Sequence, residues 1–452
     1  MTPTERLVEH ITGARTRVLP SGVVESTKHH LLDTVAAMVS GGELAAGRAG
    51  ARYARARSTS GPSVVVADGG GATPELAALA NAMAAHADET DDTHELSKSH
   101  PGSSIVSTAL AITQADADRC SGTDLLRAIA TGYDVGPRIN LSLWTDFAEV
   151  RKQRRGTPTI SGMFGSAAAA AALRGFDETR VRYLLSYVAQ QVSGMNTWKR
   201  DVEHVEKAWV IAGWPAYGAL LAVSLVEAGW TGVDDVFDGD PNFLDIVGGS
   251  PDPSCLADEL GVRFEVERTH LKVHSVGSPA QAPVQALLGL LIDHGLVDTD
   301  VTGVEVTLPA VLAHTVQRSR RMANINLQYL LSITLADGGL GFAAAHDDSR
   351  FESWDRAGGD GRIQVVPDAD AAPRRQAVVR LTTADGRVLE RRVDPVRGSP
   401  ENPMSGDEVA AKAMDLMAPV LGDGLAADIV GATRDVDADG GLARLTSLLG
   451  KR

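Results

Sequence analysis

At 452 residues, with 44% hydrophobic and 22% charged side chains, the chain is too long for one ordinary core, and two globular domains are the expectation. Its formal net charge of −15, with no long basic run and no alternation of basic and aromatic residues, argues against nucleic acid and membrane as partners. Only Cys120 and Cys255 are present, too few for a disulfide scaffold or a cysteine-built metal site.

The opening MTPTERLVEHITGART has no apolar signal core. Helical signals then follow one another through residues 1–265. Ser26/Thr27 reads as the cap of a helix over Thr27–Val39 that closes on Gly41-Gly42. Thr73 and Pro74 read as the N-cap and first position of the next, with Leu76, Leu79, Ala80 and Met83 on one face. Another follows His100-Pro101-Gly102, with Ile105, Ala109, Leu110 and Ile112 as its apolar side. Segments 123–135, 161–174, 179–195 and 204–228 continue the pattern. The run Gly165–Leu173 carries almost no side-chain volume, which suits a helix buried between close neighbours. The apolar stretches around Ala167–Leu173 and Ala219–Val226 are too short and too interrupted to span a bilayer, so the cytoplasm is the expected compartment.

The character changes near Val262. Val262–Val266 and Gly303–Leu308 alternate like strands, with a helix near 279–295 between them. Ala377–Thr383 and Arg387–Val393, joined by Ala384-Asp385-Gly386, read as a hairpin. Gly358–Ala372 is the loosest interior segment. The expected fold is mainly α: a helical domain over 1–265, a smaller α/β domain over 266–395, and C-terminal helices over 396–452 that return to the first.

Chemistry concentrates in His86–His100, where five carboxylates and three histidines fall within fifteen residues between two apolar helices. A zinc site would want a spacing such as H-E-x-x-H, which is absent. Asp91-Asp92-Thr93-His94-Glu95 has the form DDxxE, and Asp234–Asp238 the form DDxxD. In a helical protein that pair also fits a magnesium-dependent prenyl diphosphate enzyme, although Lys98 is the one basic residue near the first motif. Taken singly, Asp88, His94 and Glu95 read as solvated helix-end groups. His100 is different: Pro101-Gly102-Ser103-Ser104 behind it frees backbone N–H groups at a helix start, where a substrate carboxylate can sit beside an imidazole acting as acid or base.

His86-Ala-x-x-x-Asp91-Asp92-Thr93-His94, followed by His100-Pro101-Gly102, resembles the H-A-x-D-x-D-D-T-H…H-P signature of the MmgE/PrpD family. The resemblance continues in Leu31–Val35, Met163–Ala171, Glu203–Ala208 with Gly213, Thr231-Gly232-Val233 and Glu401–Ser405. It implies a large all-helical domain with a smaller α/β lid, an active site in the cleft between them, a homodimer, no cofactor and no metal. It also implies dehydratase, decarboxylase or epimerase chemistry on a small di- or tricarboxylic acid.

By the same resemblance Glu89 falls on the family's first acidic position, a Glu for Asp exchange, while Asp92, Thr93 and His100 keep their types. Lys207 and Lys272 match its two lysines and Tyr329 its tyrosine. Two histidines carried by some members are missing: one before the alanine-rich helix, where Arg154–Ser161 stands, and one past the lid lysine, near Gln281. The expected roles are His100 as general acid/base, Lys207 and Lys272 binding carboxylate and stabilising enolate-like charge, and Glu89, Asp92 and Thr93 tuning them. Arg154 and Arg155 are a candidate carboxylate clamp, and Ser103, Ser104, Gln281 and Tyr329 complete the candidate substrate-binding set. A lyase is the first reading; an isomerase or epimerase in the same site is the alternative, and the prenyl enzyme a third.

Overall fold

Small residues set the architecture of the first half. The computed structural model describes residues 1–144, 156–316 and 322–451, and the described chain packs as two units. The first comprises 1–87, 91–270 and 409–452; the second comprises 88–90 and 271–408.

The first unit is helical. Its helices are α1 (Pro3–Thr12), α2 (Ser21–Gly41), α3 (Ala45–Arg57), α4 (Pro74–Ala85), α5 (Pro101–Ala115), α6 (Gly122–Leu143), α7 (Thr157–Arg174), α8 (Glu178–Gln191) and α9 (Val205–Glu227). A two-stranded ribbon, β1 (Ser63–Val65) and β2 (Gly70–Ala72), lies between α3 and α4. Helix α7 is buried from Thr157 to Leu173, as its alanine run demands. It meets α6 at Gly132 and Gly165, where a Cβ on either would stand 2.7 Å from the other's carbonyl oxygen and 2.6 Å from Ile105 of α5. Helices α6 and α7 therefore touch backbone to backbone, with the Ile105 side chain of α5 packed over the crossing, and any larger side chain there forces them apart.

The helix expected from Thr27 begins six residues earlier, at Ser21 after Pro20. Thr27 is no cap: its hydroxyl donates to the Val23 carbonyl, 2.6 Å away, inside the helix. A threonine can bond backward within a helix as readily as it caps one, so residue type alone misplaced the boundary. Helix α9 contains a π-turn at Trp209–Gly213 and, contrary to the sequence reading, is long and apolar enough to cross a bilayer; two-thirds of its apolar window is nevertheless buried, as in a core helix. Val262–Val266 is not a strand. Val262 is 79% exposed, and a 3₁₀ turn runs through Glu265–Arg268, because the Glu265 carboxylate is drawn inward by arginines.

The second unit carries α10 (Gln281–His294), β3 (Val301–Pro309), α11 (Leu327–Asp337), β4 (Ile363–Asp368), β5 (Ala377–Thr383) and β6 (Val388–Val393). The sheet order is β4-β3-β5-β6, with β3 parallel to β4 and the other pairs antiparallel. Val304, Val306, Val379 and Leu381 alternate onto one buried face and share a core with Leu287, Leu290 and Leu330 of the helices. The expected hairpin is β5–β6. Strand β4 was not expected: it is an edge strand inside the segment that read as loosest. Helix α12 (Gly406–Leu421) leads back into the first unit, where Lys412 donates to the buried Asp33 at 2.5 Å. Helices Asp423–Arg434 and Gly441–Leu449 end the chain.

Candidate active site

Helix α4 stops at Ala85, and the chain runs through tight turns from His86 until Pro101 starts α5. What organises those turns is Asp92. Its Oδ2 accepts from His30 Nδ1 on α2 at 2.7 Å and from the Tyr133 hydroxyl on α6 at 2.5 Å, and its Oδ1 accepts from the Gly102 N–H at 3.0 Å. Burial, and then Asp92, push the Tyr133 hydroxyl well above its ordinary range, so it stays a donor. The start of α5, expected to receive a substrate carboxylate, is thus capped by the protein's own carboxylate. Gly102 is needed there, since a Cβ would stand 2.6 Å from the Tyr133 oxygen and 2.8 Å from Asp92 Oδ2. Gly102→Ala is therefore expected to destabilise the protein by about 1–3 kcal/mol through overpacking, read as a lowered Tm, and to depress activity with it.

With Asp92 so occupied, its neighbour Asp91 serves the histidines. Asp91 Oδ2 lies 2.6 Å from His86 Nδ1, and its Oδ1 lies 3.4 Å from His100 Nδ1. The two rings are tilted, 4.9 Å apart. His100 Nδ1 also lies 2.8 Å from the Asp92 carbonyl oxygen and 3.3 Å from Thr93 Oγ1. A carbonyl only accepts, so Nδ1 of His100 bears the hydrogen and Nε2 of the neutral ring is its basic atom. His100 keeps 17% of its side chain exposed, whereas His86 is sealed. Of these, sequence reasoning nominated His100 and Thr93 but passed over Asp91 and His86; the adjacency of Asp91 to Asp92 hid which carboxylate faced which partner.

Lys207 lies in the same unit. It sits one turn into α9, after His204, whose backbone has φ 60° in the left-handed region. The helix begins only at Val205, so Glu203 is not a helical i,i+4 partner; the lysine side chain is buried, with Nζ 5.9 Å from the Trp198 ring. Its positive charge is felt at His86. His94, expected at a solvated helix end, is instead sealed and bonded through Nε2 to Glu265 at 3.0 Å.

The second unit holds the three residues 88–90. His346 Nε2 lies 2.8 Å from Asp88 Oδ2, and Lys272 Nζ donates to the Glu89 carbonyl at 2.6 Å. Burial opposes ionisation of both members of the first pair, yet their mutual bond prevails, lowering Asp88 and raising His346. Lys272 meets Glu89 through backbone. Gln281 spends its amide on backbone, accepting from His274 N–H and donating to the His274 and Val276 carbonyls at 2.8 and 3.0 Å; it braces the turn after Lys272. Tyr329 packs edge-on against Phe351 and Trp354, with centroids 5.0 and 5.5 Å away, and burial holds its hydroxyl up at about 12. In the first unit, Ser103 and Ser104 turn back to the carbonyls of His100 and Pro101. These four expected substrate contacts are therefore engaged with protein, while Arg154 and Arg155 lie outside the described residues.

His86, Asp91 and His100 also offer nitrogen and oxygen atoms within 4.8 Å of one another. Both Nδ1 atoms are already directed at oxygen acceptors, and the Lys207 charge is felt nearby. That donor set suits holding protons better than holding a divalent ion. The DDxxE motif occupies turns, and its two aspartates serve histidines and a helix start, not one face of a helix.

The chain is 26% identical over 362 residues to a cis-aconitate decarboxylase from Homo sapiens, covering 76% of this chain and 72% of that protein. It is 24% identical over 430 residues to a cis-aconitate decarboxylase from Mus musculus, covering 90% and 85%. A cis-aconitate decarboxylase-like protein, oryM, from Aspergillus oryzae is 26% identical over 298 residues, covering 63% and 60%. Residues 5–256 match the MmgE/PrpD N-terminal domain and residues 274–436 the MmgE/PrpD C-terminal domain, so the chain belongs to the MmgE/PrpD family.

Proposed function

We propose that this enzyme is a cofactor-independent lyase acting on a small di- or tricarboxylic acid, with His100 as the group that moves the proton. The observation that carries the reading is the pinned imidazole: Nδ1–H held by the Asp92 carbonyl beside the Asp91 carboxylate, with Nε2 the basic atom of a partly exposed ring. Family membership and the decarboxylase relatives support the reaction class and a carboxylate substrate.

In a dehydration, His100 Nε2 takes the proton α to a carboxylate, the C–H pair forms the alkene, and the β-hydroxyl leaves as water after protonation. In a decarboxylation, the C–C pair shifts as carbon dioxide departs, and the alkene carbon receives the proton. Either route builds negative charge next to a carboxylate, which a buried ammonium such as Lys207 stabilises in a poorly solvated site; the family resemblance assigns Lys272 a like role.

The test is incubation with candidate acids in deuterated water, followed by proton NMR. New vinyl signals or loss of a carboxylate are expected. Deuterium uptake on an unchanged skeleton would replace the lyase with an epimerase, and magnesium-dependent diphosphate release would replace both. Turnover is expected to survive exhaustive dialysis against a chelator, as the proton chemistry is assigned to side chains alone.

A further inference from the structure

We infer that the cavity between α3, α4 and the start of α9 is a second binding site, shaped for an apolar molecule that carries a positive charge. The cavity lies within the first unit and measures about 690 Å³, and none of His86, Asp91, His100 or Lys207 lines it. That volume suits a small organic ligand.

Its main wall exists because α9 is irregular. Val205, Trp209, Trp214 and Tyr217 all face the cavity, at spacings of four, five and three residues. An uninterrupted α-helix turns about 100° per residue, so residues five apart would point about 140° away from each other. The π-turn over Trp209–Gly213 takes up the extra residue and returns Trp214 to the face of Trp209. The rings of Trp209, Trp214 and Tyr217 then follow one another at centroid spacings of 6.0 and 6.3 Å. Leu79 and Met83 of α4 add apolar surface, and α9 presses against that helix: a Cβ on Gly213 would stand 2.6 Å from Met83 Cγ. The mouth is open, with Trp209 43% and Tyr53 45% exposed.

Two carboxylates give the cavity its sign. Asp201 Oδ2 accepts from the N–H groups of Glu206 and Lys207 at 2.6 and 3.2 Å, and Glu206 Oε1 accepts from the Thr197 hydroxyl at 3.1 Å. The second oxygen of each makes no hydrogen bond or ion pair among the described residues, and no lysine, arginine or histidine is among those lining the cavity. Just outside the lining, Arg57 lies 5.6 Å from the Tyr53 ring centroid, so this rim already holds one cation against an aromatic face. Carboxylates beside aromatic rings attract an ammonium or amidinium group twice, by charge and through the ring quadrupole. The apolar surface takes the body of the molecule. A di- or tricarboxylic acid would be repelled here, which separates this cavity from the site proposed for the substrate.

Calorimetric titration with two probes of similar shape tests the inference: trimethyl(4-phenylbutyl)ammonium and neutral 5-phenylpentanol. The cation is expected to bind about tenfold more tightly than the alcohol. Glu206→Gln, at an exposed position, is expected to weaken the cation about threefold and to leave the alcohol unchanged. Trp209→Leu keeps an apolar filler but loses the ring, and is expected to weaken the cation about tenfold. Both variants should keep the wild-type Tm. Cation and alcohol binding alike, a cation affinity unmoved in either variant, or no heat with either probe overturns the inference. So does sedimentation that finds the wild type dimeric and Trp209→Leu monomeric, because the aromatic wall is then the seat of a second copy. The readout is binding and not turnover, so a failure of the lyase assignment leaves this result untouched.

Discussion

His100→Asn is expected to lower kcat by about 10²–10⁴-fold, the span usual for loss of a positioned acid or base. Asparagine is the informative replacement because its amide N–H can still donate to the Asp92 carbonyl, 2.8 Å from Nδ1 in the native protein, while nothing stands in for Nε2. The turn at the start of α5 should therefore survive, with an unchanged circular dichroism spectrum and Tm. A structural role for His100 predicts the reverse: small loss of rate, large loss of stability. Saturating-substrate kinetics separate the cases further. A proton-transfer group lost only from the transition state lowers kcat and kcat/KM together, whereas a carboxylate-binding group raises KM. A fall in kcat of less than about tenfold would remove His100 from the chemistry.

Lys207→Met marks the contrast. Its buried ammonium is assigned both to the substrate carboxylate and to the charge that builds beside it, so the same kinetics should show KM rising as well as kcat falling.

The helical character of the first unit was legible because helix signals are local: periodicity, Pro74 at a first turn, and a run of alanines each act within a few residues. The β5–β6 hairpin was legible for the same reason, its turn residues fixing its own register. The 86–100 cluster was visible as a density of charge, but its internal assignments were not. His30 lies 62 positions from Asp92, Tyr133 lies 41 away, and Glu265 lies 171 from His94. No local pattern announces such partners. Of two adjacent aspartates, one came to hold a helix start and the other a pair of imidazoles, and a shift of one residue along a turn decides which. Gln281 and Tyr329 show the converse error: residue types that suit ligands equally suit the bracing of a turn or the filling of a core.

Glu265→Gln is expected to cost about 3–5 kcal/mol of stability in the first unit, as removal of one partner from a buried ionic network does. The carboxylate is sealed from solvent. Oε2 accepts from His94 at 3.0 Å and Arg268 at 3.3 Å; Oε1 accepts from Arg263 at 3.0 Å and lies 3.4 Å from Arg138. Arg138 is itself fully buried, so without Glu265 its charge loses a main counterion in a poorly solvated place. Glutamine keeps shape and one acceptor but no charge, so the loss measures the ionic contribution. A fall in Tm on the order of 10 °C is expected by thermal denaturation.

The same network sets the acid limit of the fold. Burial alone would raise Glu265, but His94, Arg138 and Arg268 together bring it down to about 2 from a glutamate's ordinary 4.5. A carboxylate depressed in the folded state binds fewer protons there than in the unfolded chain, so its contribution is fully present above the unfolded value and drains away as pH falls toward about 2. Wild-type stability should thus decline between those two values, and the Glu265→Gln protein should lose that part of the slope. Because His94 belongs to the turns that carry Asp91 and His100, acid titration of Glu265 should also loosen the proton-transfer cluster, with activity falling irreversibly only where unfolding begins. If chemical denaturation at pH 7 shows the two proteins within about 1 kcal/mol of each other, the network is not what holds the His94 turn, since even a lost hydrogen bond to a charged group costs more than that.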